Sequence, residues 1–450
     1  MDATAQRIDL LAVAEMLHEH LTETLCEDVF DEVRTKERRR QLGLTTLAKF
    51  WTAVLLRAPA SLSQALAEAN GQPGAAYPDV GASDQAFFQR CEDLEPEFFR
   101  RVFEGFRARL EAAEPARYGA QHAEVAARFG GRIWAVDGGS LDPVARRLKV
   151  LWRDRRTPIP GTVIAFYDLR RGTLARLRYE RELQPQEGRC AREALEEVPE
   201  GTLLLGDRLY GVPVFLEAAA ARRVHALVRR NRLVAFAAER RLTSSDVDGA
   251  RVTDELGYYG LSPATPTRKV RLIRWKAGRR SLELITDVLD PAQLSAQEAV
   301  ALYRERWGVE RLFFELKEVL NLHRFYGANA NAVAMQVYAA AIVHVALKTA
   351  QGRIAHAAKL EPERLSCQKL FPKVAATSSC LVTAEQTFRA VQKANPRVRL
   401  RKPDWHTLPF AYAELEDVLV EPRSRPDTRP RLKPDGNRVR GLPDPNRRSS

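Results

Sequence analysis

Apolar residues recur at helical spacing through roughly the first quarter of the chain. The segments LTTLAKFWTAVLLR and FFRRVFEGFRARLEAA carry them every three or four positions, which is the pattern of amphipathic helices. Proline and glycine separate the segments, as expected between helices. The pattern predicts an all-helical N-terminal domain over residues 1–118.

Near residue 130, short apolar runs replace the helical spacing. The run at 133–136 predicts a buried strand that ends at Asp137, and Gly138 and Gly139 then favour a sharp turn. The run at 202–205 predicts another strand, which leads into Asp207. Further strands are predicted at 163–168, 174–180 and 224–228, with a candidate strand at 148–152 and a helical segment around 189–197.

The segment YRERWGVERLFFELK places four different polar side chains on one side of a predicted helix. Tyr303, Arg306, Glu310 and Lys317 fall at offsets of 3, 7 and 14. At about 100° per residue they lie within about 60° of one another. The simpler interpretation is the charged rim of an amphipathic helix. The mixture of hydroxyl, guanidinium, carboxylate and ammonium groups favours a metal ligand surrounded by phosphate contacts.

The stretch between Asp207 and Glu310 is too long for a simple crossover, because 310 − 207 = 103 residues. Residues 269–276 and 281–286 predict a hairpin across Ala277 and Gly278. We therefore expect an inserted β subdomain at about residues 231–290. The predicted fold class is α/β, with a mixed sheet flanked by helices.

Asp137, Asp207 and Glu310 form the candidate metal site. Either aspartate alone could be a turn former or a helix N-cap. An aspartate at the end of a rigid strand is, however, also held firmly while its carboxylate reaches solvent or metal. Three such carboxylates can hold two divalent cations about 4 Å apart for phosphodiester chemistry. All-oxygen ligands suit Mg²⁺, and histidine is not required, although His323 follows the Glu310 helix.

The composition favours a polyanionic partner. Lys and Arg number 71 against 58 Asp and Glu, which gives a formal net charge of +13. The five cysteines are widely separated, so neither a disulfide framework nor a zinc site is predicted, and the cytosol is favoured. We expect no export signal and no membrane segment, because Gln336 and His344 interrupt the most apolar stretch.

A basic segment with one tryptophan lies within the predicted insertion. Residues 268–280 contain seven Arg or Lys and no acidic residue. Trp275 between Arg274 and Lys276 is suited to stacking on a base while the cations contact the backbone. The competing interpretation is that Trp275 covers the apolar side of the hairpin. Arg208, directly after Asp207, is a further candidate DNA contact.

The C-terminal part is predicted to be mainly helical. An alanine-rich helix is expected at 333–350, and shorter helices are expected at 367–374 and 383–393. Proline, arginine and aspartate dominate the last residues, which predicts a basic disordered tail. The predicted regions after the N-terminal domain are a catalytic domain over 119–350, a helical region over 351–420 and the tail over 421–450.

Three segments resemble the catalytic segments of the DDE transposases of the insertion-sequence-four type. They are IWAVDGG, LLLGDRLYG and YRERWGVERLFFELK, and the third carries the family signature Y-(2)-R-(3)-E-(6)-K. The resemblance covers roughly residues 130–350 and is weaker in the helical N-terminus. It implies a ribonuclease H-like fold in which Asp137, Asp207 and Glu310 bind two Mg²⁺ ions, for which Mn²⁺ substitutes.

The resemblance also implies DNA contacts. Tyr303, Arg306 and Lys317 would hold phosphates, and Trp307 matches an aromatic residue of relatives. Trp275 resembles the tryptophan that stacks on a flipped base in hairpin-forming members. The implied activity is cut-and-paste transposition through a DNA hairpin. Its implied partners are double-stranded DNA, as terminal inverted repeats and as target, and a second copy of the chain in a homodimeric synaptic complex, with no small-molecule substrate.

Other functions stay open at this point. A structure-selective nuclease of the same fold would cut branched DNA without strand transfer. A catalytically silent descendant would bind DNA without cutting it. A carbohydrate-active enzyme could also use paired carboxylates, but it would not explain the basic excess. The N-terminal domain could bind DNA or serve only in packing, and we expect a cytoplasmic, nucleoid-associated protein of a bacterium.

Overall fold

A computed structural model of the chain covers most of its sequence. The described residues are 7–38, 40, 42–71, 77–114, 122–140, 161–181, 186–247, 249–260, 267–320, 322, 324–327, 329–401 and 403–420. The candidate strand at 148–152, His323 and the predicted tail at 421–450 lie outside them. The described chain is mixed α/β, with a helical N-terminal region followed by a large sheet.

The N-terminal region is a packed group of helices. Within the described residues they are α1 (Ala12–His20), α2 (Glu23–Val33), α3 (Leu44–Arg57), α4 (Leu62–Gly71), α5 (Asp84–Asp93), α6 (Pro96–Ala113) and α7 (Ala123–Ala127). Large side chains such as Trp51, Phe87 and Phe103 are completely buried among them. The side chains of Thr22 and Ser83 cap α2 and α5 by accepting backbone N–H bonds.

A short strand corrects the expectation of an all-helical N-terminus. Strand β1 (Arg7–Asp9) pairs antiparallel with β11 (Tyr412–Glu414) near the other end of the chain. The backbone N–H of Leu10 also donates to the carbonyl of Ala411, at 2.9 Å. A three-residue strand is too short to show the alternation from which strands are predicted.

The large sheet has nine strands within the described residues. They are β2 (Ile133–Ser140), β3 (Thr162–Asp168), β4 (Thr173–Glu180), β5 (Leu203–Gly206), β6 (His225–Arg229), β7 (Phe236–Val247), β8 (Ala250–Tyr259), β9 (Arg268–Ala277) and β10 (Arg280–Thr286). Their order is β4-β3-β2-β5-β6-β10-β9-β8-β7. Strands β2, β5 and β6 are mutually parallel, and every other neighbouring pair is antiparallel. The ends of each predicted strand in the described residues agree with the structure to within a few residues, except at β2.

The two faces of the central strands pack against different layers. Ile133, Ala135 and Leu205 belong to a core that includes the N-terminal helices. Trp134 and Leu204 point the other way, since successive strand residues alternate between faces. This second face is covered by α8 (Glu187–Ala194), which lies between β4 and β5 in the chain, and by α9 (Pro213–Ala221), which lies between β5 and β6. We call the first face the helical-domain face.

The predicted insertion does not form a separate β subdomain. Its strands β7 to β10 continue the central sheet, because β10 pairs with β6 through Ile285 and Val228. Arg271 is fully buried and forms a salt bridge with Asp254, while its Nη1 donates to the carbonyl of Leu294 at 2.8 Å. These bonds join β8 and β9 to the chain that leads into the next helix. The insertion was visible in the sequence, but its pairing with β6 is long-range and leaves no local pattern.

The signature segment is not one continuous helix, which corrects the expectation. It consists of α10 (Ala296–Glu305), a break at Arg306, α11 (Trp307–Phe314) and a π-helical turn (Glu315–Val319). A π-turn contains one extra residue, so the angle between side chains on either side of it changes. The wheel drawn for an unbroken α-helix therefore does not give the direction of Lys317.

Two long helices complete the described chain. Helix α12 (Ala330–Ala357) passes the length and composition test for a membrane span, but 89% of its most apolar window is buried inside the protein, as in a soluble core helix. Helix α13 (Cys367–Ala394) is continuous where two short helices were predicted. The small and polar residues 375–379 interrupt the apolar pattern there, but they do not stop the backbone hydrogen bonds from continuing.

Candidate active site

The two candidate aspartates lie side by side on neighbouring parallel strands. Ala135 is in register with Leu205, so two residues further along Asp137 stands beside Asp207. Adjacent strands are about 4.8 Å apart. By alternation both side chains belong to the helical-domain face, as do Ala135 and Leu205. The sheet thus brings two carboxylates together at the end toward which its parallel strands run.

Strand β2 does not end before Asp137, as was predicted, but runs on to Ser140. Gly138 and Gly139 stay extended and pair with Ile164 and Val163 of β3. A Cβ at Gly138 would lie 2.4 Å from the side chain of Glu187, and one at Gly139 would lie 2.7 Å from the ring of Phe313. The glycines therefore admit close neighbours on both faces rather than forming a turn.

Glu310 reaches the same face from α11. Val309 and Leu312 of this helix are completely buried in the core of the helical-domain face. Between them Glu310 is partly exposed and accepts a hydrogen bond of 2.7 Å from Nη2 of Arg306. The third carboxylate is thus supplied by a helix that packs on β2 and β3, and a guanidinium holds it.

Asp137 interacts electrostatically with the neighbouring carboxylates. Burial raises the pKa of Asp137 to about 7, and Asp207, Glu187 and Glu310 contribute to the rise, although Arg306 opposes it. Like charges disfavour one another's ionised forms. Burial is the larger cause of the raised pKa of Asp137, and the neighbouring carboxylates add to it.

The site suits a metal ion in the chemistry of its donors but not in their spacing. The donors are carboxylate oxygens, which Mg²⁺ and Mn²⁺ accept. Among the residues that the structure describes, however, no three His, Cys, Asp or Glu side chains stand close enough to hold one ion. Glu310 is bound to Arg306 instead. The residues fit a divalent cation in chemistry and charge, and binding requires them to approach one another.

Arg306 is the central cation of the site. Its side chain is only 8% exposed, and Nε and Nη1 have no hydrogen-bond partner among the described residues. Burial opposes its charge, but Tyr303, Glu310 and Asp137 favour it, and the pKa of Arg306 is raised above its usual value. A buried guanidinium with unpaired N–H groups is suited to binding an oxyanion.

The other signature residues surround Arg306. The guanidinium lies 5.7 Å from the ring centre of Tyr303 and 5.9 Å from that of Trp307. Tyr303 is buried and Trp307 is 51% exposed. Burial lowers the pKa of Lys317, and Asp137 counteracts this, so Lys317 also lies within electrostatic reach of the carboxylates. The structure therefore brings all four signature residues to one site despite the broken helix.

The residues predicted around the hairpin are more distant. Trp275 shares the helical-domain face with the aspartates, but β9 lies three strands from β5, or roughly 14 Å. Trp275 is partly buried, and the guanidinium of Arg304 lies 5.0 Å from its ring. This contact agrees with the packing interpretation and links Trp275 to α10.

The remaining predicted DNA contacts differ from one another in their surroundings. Arg274 is on the opposite face from Trp275 and forms salt bridges with Glu255 and Glu283. Lys276 and Arg208 are exposed. Arg208 directly follows Asp207, so it lies beside the carboxylates, whereas the structure does not bring Arg274 and Lys276 to them. The DNA-binding roles of all of these residues stay predictions.

Two residues near the site were not predicted from the sequence. Glu187 at the start of α8 packs against Gly138 and accepts a hydrogen bond of 2.8 Å from the hydroxyl of Tyr210. Arg229 ends β6 one strand from Asp207 and interacts with Tyr303. Glu187 is one of several acidic residues in its segment, and no spacing distinguishes it. Arg229 is one of three arginines at 229–232, and no spacing distinguishes it either.

Sequence comparison identifies the central part of the chain. Residues 157–346 match the family described as "Transposase DDE domain". This central part of the chain is similar to the transposase DDE domain. The match includes Asp207 and all four signature residues and begins 157 − 137 = 20 residues after Asp137, so the assignment of Asp137 depends on the geometry. A ribonuclease H-like fold is consistent with such a domain.

Two curated relatives support the same assignment. The chain is 31% identical over 112 residues to "Putative transposase y4zB" of Sinorhizobium fredii (strain NBRC 101917 / NGR234), covering 25% of this chain and 32% of that protein. It is also 31% identical over 107 residues to "Probable transposase for insertion sequence element IS5377" of Geobacillus stearothermophilus, covering 24% and 26%. The chain thus matches about a third or less of the length of these relatives.

Proposed function

We propose that this protein is a DDE transposase, an enzyme that cuts DNA at the ends of a mobile element and joins those ends to a target. The proposal is supported above all by one observation. Asp137, Asp207 and Glu310 converge on one face and one end of the sheet, and the last two lie inside the part of the chain that is similar to the transposase DDE domain. The net charge of +13 is in keeping with a DNA substrate.

We propose Asp137, Asp207 and Glu310 as the ligands of two Mg²⁺ ions, with Mn²⁺ as a substitute. When bound, the metal would activate water and stabilise charge on the leaving oxygen of a phosphodiester. The raised pKa of Asp137, which burial and three neighbouring carboxylates produce, supports a demand for positive charge at this site. Glu310 would exchange its bond to Arg306 for the metal.

The signature residues would then bind the DNA backbone. Once Glu310 turns to the metal, Arg306 has a buried guanidinium available for a phosphate. Tyr303 packs beside it and Lys317 adds a second positive charge. Phosphates held in this way would be positioned against the carboxylates, which is the main contribution that a protein makes to metal-dependent phosphoryl transfer.

The finer assignment follows the sequence resemblance. We propose a transposase of the insertion-sequence-four type that acts through a DNA hairpin, with Trp275 stacking on a flipped base. The substrates would be the terminal inverted repeats of its own element and a target duplex. Two copies would form the synaptic complex, and the enzyme would act on the chromosome in a bacterial cytoplasm.

The test is cleavage and strand transfer with linear DNA that carries the inverted repeats flanking the gene, in Mg²⁺ or Mn²⁺. We expect Glu310→Gln to abolish both reactions while duplex binding persists. The matched control is Glu305→Gln, since the side chain of Glu305 is 42% exposed and its Oε1 lies 2.8 Å from Nε2 of His122, away from the three carboxylates. Full cleavage by Glu310→Gln would contradict the proposal, and cleavage by the wild type without strand transfer would indicate a nuclease instead.

A further inference from the structure

A second charged site lies at the other end of the sheet from the carboxylates. A cavity of about 320 Å³ opens between α6, the chain entering β2 and the turn between β3 and β4. Its rim includes Gly131, six residues before Asp137, which corresponds to about 20 Å of extended chain. The cavity is thus separate from the site proposed for metal binding.

Arginine dominates the lining of this cavity. Five arginines face it against two carboxylates, and we call them the arginine pocket: Arg107, Arg132, Arg170, Arg171 and Arg176. Both carboxylates are already engaged. Glu111 forms salt bridges with Arg107 and Arg171, and Asp168 accepts bonds from the backbone N–H groups of Arg170 and Arg171 and from Nε1 of Trp134.

Three of the guanidiniums have no carboxylate partner within the described part of the chain. Each donates only to a backbone carbonyl: Arg132 to Gly130 at 3.1 Å, Arg170 to Gly131 at 2.9 Å and Arg176 to Ala175 at 2.9 Å. A carbonyl satisfies one N–H group but does not neutralise the charge. The lining of the cavity therefore holds more positive than negative side chains.

Buried donors add to this imbalance. Arg107 has a side chain only 10% exposed. Its Nε and the Nε of Arg170 are buried, and neither has a hydrogen-bond partner among the described residues. Burial and the neighbouring Arg107 lower the pKa of Arg176, although Glu104, Glu111 and Glu197 oppose this. An unpaired buried donor and a like-charge contact both cost stability, and an oxyanion would relieve both.

We propose that the arginine pocket binds a phosphate group, as an anion site distinct from the carboxylate site. Guanidiniums that approach from α6, from the entry to β2 and from β4 suit the several oxygens of a phosphate. The group could belong to free phosphate or to a DNA backbone. The inference does not depend on the transposase assignment, because it involves neither the metal nor the cleavage reaction.

The first test is calorimetric titration of inorganic phosphate into the full-length, metal-free chain, with sodium chloride at equal ionic strength as the reference. We expect saturable binding of phosphate and none of chloride. The double variant Arg170→Gln/Arg176→Gln is expected to bind phosphate at least about tenfold more weakly, since it loses two charge-assisted bonds. If the wild type gives equal heats with phosphate and with chloride, that result alone overturns the proposal.

The matched control is Arg223→Gln, because Arg223 is 79% exposed and pairs with Glu200 outside the cavity. It is expected to bind phosphate as the wild type does, and the same loss in this control and in the double variant would also overturn the proposal. If the double variant does not fold, Arg132→Gln at the partly exposed rim takes its place.

The source of the phosphate is identified with a fluorescent duplex. If the site binds DNA, phosphate competes with the duplex. The slope of log affinity against log salt concentration is then smaller by about two in the double variant. If the site binds free phosphate, the variant loses phosphate binding and keeps its DNA affinity. Either result supports the pocket. Unchanged binding of both ligands by the double variant would contradict it.

Discussion

Glu310 and Glu315 are five residues apart in the signature segment but have opposite surroundings. Glu315 is 5% exposed, accepts a hydrogen bond from Nε2 of His344 at 2.8 Å and forms a salt bridge with Lys348 at 3.5 Å. Burial opposes its ionisation, but Lys348 and His344 lower the pKa of Glu315 to about 2. This carboxylate is satisfied by the fold itself.

The carboxylates on the other side of the segment are not satisfied in this way. Glu310 is partly exposed and has one partner, Arg306, and the pKa of nearby Asp137 is raised to about 7 by burial and by neighbouring acids. A buried carboxylate that is paired with cations of the protein keeps its charge, whereas clustered carboxylates disfavour one another's charge and favour the uptake of a cation. The segment thus joins two clusters. We call Glu315, His344 and Lys348 the structural cluster, and we call the proposed metal ligands Asp137, Asp207 and Glu310 the functional cluster.

The largest expected effect is on the functional cluster. Asp137→Asn should lower metal-dependent cleavage by a factor on the order of 10³ or more, as removal of an essential catalytic group does. It should not lower the unfolding temperature of the metal-free protein, because it removes one of four crowded carboxylates. Cleavage assays and thermal unfolding of the same preparation test both statements, and a strongly destabilised variant would place Asp137 with the structural group.

The structural cluster should respond in the opposite way. Glu315→Gln leaves Lys348 buried without its carboxylate, which should lower the free energy of unfolding by about 3 kcal/mol. Chemical denaturation measures this change, and Glu318→Gln on the exposed side of the same turn should stay within about 0.5 kcal/mol of the wild type. If Glu315→Gln were stable but inactive, Glu315 would belong to the functional cluster and the comparison would fail.

Lowering the pH should gradually reduce the contribution of the structural cluster to the free energy of unfolding. The pKa of Glu315 is lowered from 4.5 to about 2, so its contribution is present above pH 4.5 and is lost as the pH falls toward 2. Burial lowers the pKa of His344 from 6.5, so protonation of the unfolded chain also reduces stability below that pH. For Glu315 alone the loss should be about 3 kcal/mol.

Denaturation curves at a series of pH values test this prediction. The part of the loss below pH 4.5 should be absent from Glu315→Gln, because glutamine does not titrate. An equal acid dependence in that variant would show that other carboxyl groups cause it.

The smallest expected effect is that of Lys317→Ala on DNA affinity. The loss of one phosphate contact should weaken duplex binding by about tenfold and lower the slope of affinity against salt by about one. Lys393→Ala, an exposed lysine at the end of α13, removes the same charge and should leave binding unchanged. Binding titrations at several salt concentrations distinguish a phosphate contact from a change in net charge.

Most of the sheet strands could be predicted from the sequence because their patterns are local. The strand runs at 163–168 and 224–228 are short and mainly apolar. The roles of Tyr303, Arg306 and Glu310, which were inferred from their spacing, stay predictions. The extension of β2 beyond Asp137 was not predicted, because glycine usually favours a turn. At positions 138 and 139, however, glycine is required because neighbouring side chains lie close on both faces of the strand.

What the sequence did not reveal depends on contacts between distant segments. Glu187 becomes part of the site only because α8 packs on the second face of β2, and β10 extends the core sheet only by pairing with β6. The π-turn at Glu315 coincides with bonds to His344 and Lys348 on another helix. None of these contacts leaves a periodic pattern in the sequence.

The pairing of β1 with β11 has a consequence for the order of events during synthesis. Arg7 pairs with Glu414, and His406 bonds to Glu15 of α1 at 2.8 Å. These bonds cannot form until the ribosome has made more than four hundred residues. The first helices can assemble earlier, but the edge formed by β1 is completed only after residue 414 has been synthesised, so folding of this region follows synthesis of the sheet.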